Sequence, residues 1–417
     1  MATDQTPSSL APVHCAMDQF AIRDRQLLVG GQSLSVLAAR VGSTPFFAYD
    51  RDLLRARVAA LRAALPAKVK LHFAMKANPM PAVVAFMARL VDGIDVASAG
   101  ELKVALDAGA SVEEISFAGP GKRDPELVQA VASGVLVNVE SARELHVLSR
   151  AQDALGMPAR VAVRVNPDFE LKGSGMKMGG GPKQFGVDVE QVPALMARIA
   201  AENLAFEGFH LFAGSQNLRP AAICEAQNKS YELALRLAEL APSPVRFLNL
   251  GGGFGIPYFP GEQRLDLAPI GDNLVALQER MQRDLPEAHI VIELGRYLVG
   301  EAGIYVTRIV DKKVSRDQVY LVTDGGLNHH LSASGNFGQV IRKNYPVIIG
   351  NKAGAGPLET VSVVGPLCTP LDLLADRMAL PAAEIGDLAV VFQSGAYGAS
   401  ASPQAFLGHP VCTEVLV

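Results

Sequence analysis

Cysteine is scarce in this chain of 417 residues: Cys15, Cys224, Cys368 and Cys412 are the four it has. They lie far apart with no CxxC or Cys/His ligand spacing, so neither a disulfide framework nor a zinc site is expected. An excess of positive charge is missing too. Lys and Arg number 38 against 42 Asp and Glu, the formal net charge is -4, and charged residues make up only 19%. Without a polybasic face, nucleic acid and anionic membrane surfaces are poor partners. No apolar run approaches the roughly 20 residues that span a bilayer. The first twenty residues are mixed and polar, without the basic start and apolar stretch of a secretory leader. The expected setting is reducing and cytoplasmic.

What is present is apolar residue in quantity, 49% of the chain, enough for one barrel-sized domain and a smaller one. From about residue 68, short β-rich runs alternate with Ala/Leu-rich segments of helical spacing, the pattern of repeated βα units around a parallel sheet. The strand-like runs are "VKLHFAM", "GIDVAS", "EISFAG", "VLVNVE", "RVAVRVN", "FEGFHLFAG", "VRFLNLG" and "HIVIELG". Eight such units predict an α/β fold of the (β/α)8 TIM-barrel type. Amphipathic segments such as "RDLLRARVAALRAAL" at 51–65 and "SARELHVLSRAQDAL" at 141–155 supply the helices between them. After about residue 296 strand-like runs dominate, which predicts a C-terminal β-sandwich or β-barrel domain. "RQLLVGGQSL" near the N-terminus reads as strand, turn, strand, and is expected to join that domain. The expected organisation is a tail over 1–19, a barrel over 45–295, and a β domain built from 20–44 and 296–417. The Gly- and Lys-rich insert at 167–186 reads either as a functional lid or as a flexible linker. Its Lys172, Lys177 and Lys183 are a candidate clamp for an anionic substrate or a carrier's phosphopantetheine, or simply solvated charge.

A barrel puts its active site at the C-terminal ends of its strands, so residues where strand patterns run out are the informative ones. "LHFAMKANPM" ends an apolar strand in Lys76, and a lone lysine there is ordinarily a solvated strand end. Asp95 and Ser98 end the second run, Arg164 and Asn166 the fifth, and His210, Ser215 and Gln216 the sixth. "NLGGGFG" at 249–255 ends the seventh and "ELGR" the eighth. A glycine run lets backbone N–H groups turn toward an anion without side-chain obstruction. An amine in a barrel mouth together with a phosphate cradle points to pyridoxal 5'-phosphate, whose aldehyde takes an amine and whose phosphate takes an anion site.

"FAMKANP", "DVASAGEL", "RVNP", "FAGSQ", "GGGFGIPY", "ELGRYLVGEAG", "GPLCTPLD" and "GAYG" occur in an order that resembles the fold-type III pyridoxal-phosphate decarboxylases, the family of diaminopimelate and ornithine decarboxylases. The resemblance covers nearly the whole chain and implies an alanine racemase-like barrel. More narrowly, "GSGMKMGGGPKQFG", "FAGSQNL" and "DGGLNHHLSASGNFGQ" are similar to an exosortase A system-associated branch, which implies a role in exopolysaccharide or envelope biosynthesis. The resemblance makes Lys76 the cofactor-linked lysine and places Gly252 and Gly253 in the phosphate site, with Tyr397 completing it. It puts Glu293 at the pyridine nitrogen, and Arg296 at the cofactor phosphate or the substrate carboxylate. Asp95, Arg164, Ser215 and Gly295 join the cofactor set. Cys368 becomes a proton donor reaching over from the partner subunit of a homodimer. A carboxylate at the pyridine nitrogen keeps it protonated as an electron sink, which favours decarboxylation over amino acid racemisation. A Glu293–Arg296 salt bridge is the plain structural alternative.

The substrate end departs from the family pattern. "HLFAGSQ" puts Phe212 where the family has a histidine that stacks on the cofactor. His210, on the same strand face, is either a substitute or a packed core histidine. Thr369 follows Cys368 where an acidic residue would meet a distal ammonium group, and "NHHLSASGNFGQ" replaces the stretch that holds a distal carboxylate. Thr369, His330, Arg296 and Tyr397 are therefore the candidate substrate contacts, for a small-molecule or carrier-tethered amino acid. His329 and His330, read as strand neighbours pointing to opposite faces, are not expected to share a metal.

Overall fold

The computed structural model describes residues 12–169, 176–177 (backbone), 179–339, 341–354 and 356–417. Eight runs form the barrel wall: β1 (Lys70–Ala74), β2 (Gly93–Val96), β3 (Ile115–Phe117), β4 (Leu136–Val139), β5 (Arg160–Asn166), β6 (Ala205–His210), β7 (Phe247–Gly252) and β8 (His289–Leu294). Each pairs in parallel with the next, and β8 returns to β1, so the sheet closes. The runs are almost wholly buried, because a parallel strand in a barrel meets side chains within and helices without. Lys172 of the 167–186 insert lies outside the described residues, and Lys183 is half-buried.

The helices follow from spacing and caps. In Arg51–Ala64, Leu54, Val58 and Leu61 recur on one face and are buried, while the Asp50 carboxylate accepts from the N–H groups of Asp52 and Leu53. Burying each such leucine is worth about 1.5–3 kcal/mol. Helix Ala142–Leu155 buries Leu145, Leu148 and Ala151 and stops at Gly156, whose φ of 64° suits glycine.

The second domain is a sheet in the order Val347–Ile349, Leu388–Val391, Gly303–Ser315, Gln318–Thr323, Leu358–Val364 and Leu373–Pro381. Phe46–Tyr49, expected within the barrel, belongs here instead. It lies antiparallel to Gly303–Ser315, with Tyr49 opposite Gly303, and Thr413–Leu416 pairs with its other edge. The boundary at 45 is thus one strand early, since a four-residue apolar run does not reveal which sheet it will join. The N-terminal strands Ile22–Arg23, Gln26–Val29 and Gln32–Ser33 make a small sheet of their own. Leu27, Val29 and Leu34 pack on Ile304, Val306 and Phe392 of the β domain. They join it by side-chain packing and by a Leu27 N–H bond to the Gly350 carbonyl at 2.8 Å. His329 and His330 sit in a turn region rather than on a strand.

Candidate active site

Strand β1 stops at Ala74, and Met75–Ala77 is one turn of 3-10 helix. Met75 and Ala77 are buried and Lys76 is exposed, so the turn aims the lysine into the barrel mouth. Asn78 fixes that turn. Its Nδ2 donates to the Gly395 carbonyl at 3.0 Å, and its Oδ1 accepts from the Met80 N–H at 3.2 Å. Lys76, Phe212, Ser215, Gly253, Glu293, Gly295, Arg296 and Tyr397 line one cleft. Lys76 Nζ stands 5.8 Å from the centre of the Phe212 ring, which therefore forms a flat apolar wall beside the amine.

The loops after β6 and β7 are stitched together. Asn217 N–H donates to the Gly253 carbonyl, Gly255 N–H to that of Asn217, and Gln216 exchanges two hydrogen bonds with the backbone of Ile256. This close approach is what requires glycine. A Cβ at Gly253, where φ is 72°, would fall 2.0 Å from the Gly214 carbonyl oxygen, and one at Gly252 2.0 Å from that of Glu293. Met176–Lys177 of the insert pairs with Gly214–Ser215, so the insert lies against the same loop.

Glu293 is buried on β8. Asn249 Nδ2 donates to its Oε2 at 3.0 Å, and His210 Nε2 stands 2.9 Å from the same oxygen. That histidine contact is out of line for a well-formed hydrogen bond, and neither ring nitrogen has another partner among the described residues. Burial alone would raise the Glu293 pKa, but the neighbouring His210, with Lys76 and Arg164 beyond it, holds it well below the usual carboxylate range. Glu293 is thus a buried anion facing the cleft, and its partners are not Arg296. The Arg296 guanidinium donates to Tyr258 Oη at 2.9 Å and stacks 4.7 Å from the Tyr397 ring. Its buried Nε has no hydrogen-bond partner and it has no carboxylate in ion-pair range among the described residues.

These residues fit pyridoxal phosphate. The cleft offers an accessible amine, a buried anion, a tight glycine turn, and an arginine with no carboxylate partner among the described residues. Lys76 would hold the aldehyde, Glu293 the ring nitrogen, and Gly252, Gly253 and Tyr397 the phosphate.

Other expected residues lie elsewhere. Asp95 accepts from Ser116 Oγ at 2.6 Å and pairs with His72 at 3.0 Å, and Arg164 pairs with Glu140 at 3.0 Å, so both belong to the barrel interior rather than the cleft lining. Cys368 is exposed and Thr369 half-buried on the turn after Leu358–Val364, and neither lines the cleft of its own chain. His330 is fully buried, with Nε2 2.8 Å from Ser394 Oγ, and burial pulls its pKa down to about 3. It packs against Phe47, Tyr305 and Tyr345, so within one subunit it is a core residue without access to substrate. A larger cavity of about 520 Å³ opens at the opposite end of the barrel, between Lys70, His72, Glu114, Arg160 and His289. Lys70 pairs there with Glu114 and Arg160 with Glu207. Sequence reasoning missed Asn78, Asn249 and Tyr258, although a polar Asn249 inside the apolar run "FLNLG" was a signal.

Residues 51–300 match the pyridoxal-binding domain of the pyridoxal-dependent decarboxylases. The chain is 38% identical over 379 residues to the L-glutamyl-[BtrI acyl-carrier protein] decarboxylase of Niallia circulans, covering 89% of this chain and 88% of that protein. It is 34% identical to the diaminopimelate decarboxylase of Aquifex aeolicus, over 95% of this chain and 91% of that one. The crystal structure of diaminopimelate decarboxylase (I148L mutant) from Helicobacter pylori complexed with L-lysine superposes with a TM-score of 0.82 at 27% identity, covering 92% of this chain and 94% of that one. With the lysine, the buried carboxylate and the glycine turn converging in one barrel mouth, the chain belongs to the pyridoxal-dependent decarboxylases and is an enzyme that uses pyridoxal 5'-phosphate.

Proposed function

We propose that this enzyme removes the α-carboxylate of an amino acyl group held on a carrier, as a glutamyl-type thioester, and works as a homodimer with shared sites. The observation that carries the reading is the neutrality of the substrate end. Among the described residues lining the cleft, Lys76 and Arg296 are the only cations. The segment beside Tyr397 presents Ser332, whose Oγ donates to the Tyr397 carbonyl at 2.8 Å, and Phe337, whose ring centre is 6.4 Å from that of Tyr397. Arg342, the next cation along, donates to the carbonyls of Ser334 and Leu373 and to Asn344 Oδ1. Among the described residues, no second cation lines the cleft for a distal carboxylate, and Thr369 offers no charge to a distal ammonium group. A neutral acyl chain suits that wall; a free second charge would be desolvated without a partner.

Bound pyridoxal phosphate supplies a ring that takes up the electron pair left when CO2 departs. Lys76 would hold the cofactor's aldehyde, and its amine would be at hand to carry a proton. Glu293 would hold a proton on the ring nitrogen, with Asn249 and His210 beside the carboxylate. Phe212 would offer the ring an apolar wall in place of a polar residue. Arg296 orients an anionic group at the cleft wall. Cys368, exposed and outside its own cleft, is the proton donor delivered by a second copy of the chain. The likeness to the exosortase-linked branch supports a place in envelope biosynthesis.

Release of CO2 is to be measured with free L-glutamate, a glutamyl-pantetheine or carrier-protein thioester, ornithine and diaminopimelate. The thioester is expected to exceed each free diamino acid by about a hundredfold in kcat/KM. Faster turnover of diaminopimelate or ornithine would overturn the reading.

A further inference from the structure

Asn249 is wholly buried in β7, where an apolar residue would ordinarily stand, and both ends of its amide are used. Nδ2 donates to Glu293 Oε2 at 3.0 Å, and Oδ1 accepts from the Gly251 N–H at 2.7 Å. The amide can sit only one way round, since a carboxylate accepts and an N–H donates. Gly251 belongs to a β-bulge. Asn249 faces Val291 of β8, but Glu293, two residues on, faces Gly252, so β7 carries one extra residue there. The bulge turns the chain out of the strand and into the glycine run, with φ at Gly251 of 72°.

One short side chain therefore ties the carboxylate expected at the cofactor's ring nitrogen to the backbone that begins its phosphate turn. We infer that Asn249 is a positioning residue that fixes the spacing between the nitrogen-binding and phosphate-binding ends of the cofactor site. In the cofactor a single short methylene–oxygen link joins ring and phosphate, so its two ends separate over a narrow range only, and a site holding both gains by keeping that spacing before binding. The main-chain bond from Leu211 N–H to the Asn249 carbonyl, at 2.9 Å, ties the same residue to the segment that carries His210 and Phe212.

Two substitutions separate this role from mere support of the bulge. Asn249→Ala removes both bonds, whereas Asn249→Asp keeps an acceptor for Gly251 but sets a second carboxylate against Glu293. The readouts are the affinity of the apoprotein for pyridoxal phosphate and the pH titration of the bound cofactor's visible absorbance. Neither depends on the substrate. N249A is expected to bind the cofactor about tenfold more weakly. N249D is expected to keep most of that affinity and to move the titration upward by about a unit, because added negative charge favours the protonated cofactor. Should N249A fail to fold, N249D decides alone. An N249D protein that binds and titrates like the parent would reduce Asn249 to support of the bulge and overturn the inference.

Discussion

Tyr397 donates its backbone N–H to the carbonyl of Ala77 at 2.8 Å, which joins the loop that aims Lys76 to the loop that carries the aromatic wall of the cleft. The bond between Asn78 Nδ2 and the Gly395 carbonyl runs beside it. Tyr397 holds φ at 54°, a left-handed conformation that costs a non-glycine residue about 1–2 kcal/mol and is offset here by its neighbours. Two segments from opposite ends of the chain thus behave as one piece. The β domain supplies Tyr397 to the cleft lining, which the barrel alone does not complete.

Glu293→Gln removes the buried anion while keeping its shape. Decarboxylation is expected to fall by about a hundredfold or more, with pyridoxal phosphate still bound and Lys76 still linked to it. Stopped-flow CO2 release and the visible spectrum check this together. Unchanged turnover in E293Q would remove Glu293 from the ring nitrogen.

Much of this was legible beforehand because it is local. The eight barrel runs, the lysine at a strand end, "GGGFG" and "ELGR" all declare themselves by spacing. What stayed hidden depends on partners far away in sequence. The apolar run Phe46–Tyr49 reads as part of the barrel, and only its pairing with Gly303–Ser315 assigns it to the β domain. The "NHH" stretch offers His330 to the substrate, and its burial against Phe47, Tyr305 and Tyr345 cannot be seen there. The "ELGR" stretch allows a Glu293–Arg296 salt bridge, whereas strand order brings His210 and Asn249 to Glu293 instead.

The proposed sharing of sites across a dimer makes a sharp expectation for mixed subunits. Lys76→Ala and Cys368→Ala proteins should each be nearly inactive. Co-refolded or co-expressed at equal amounts, they should regain about a quarter of the parent activity, because half the dimers are mixed and each has one intact site. Failure to regain activity from mixed dimers, confirmed as mixed by tagging, would mean that Lys76 and Cys368 do not meet across subunits, and full activity of C368A alone would place Cys368 outside the reaction.

At the other end of the barrel, burial pulls the pKa of His72 down, but Asp95 and Glu114 outweigh it and lift it from 6.5 to about 9. A raised folded-state pKa means that His72 contributes its full stability below about pH 6.5 and loses it as pH rises through about 9. Urea unfolding at pH 6 and pH 9.5 should show a larger loss for the parent than for His72→Gln. Equal losses would mean that His72 is not held charged in the fold.

The proposed chemistry stands on Lys76 as the residue that carries the cofactor. Borohydride reduction of the enzyme purified with pyridoxal phosphate, followed by peptide mass mapping, tests it most directly. The expected result is loss of the visible band and a single reduced pyridoxyl adduct on Lys76, absent from Lys76→Ala. An adduct on another lysine, or no visible band to reduce, would contradict it.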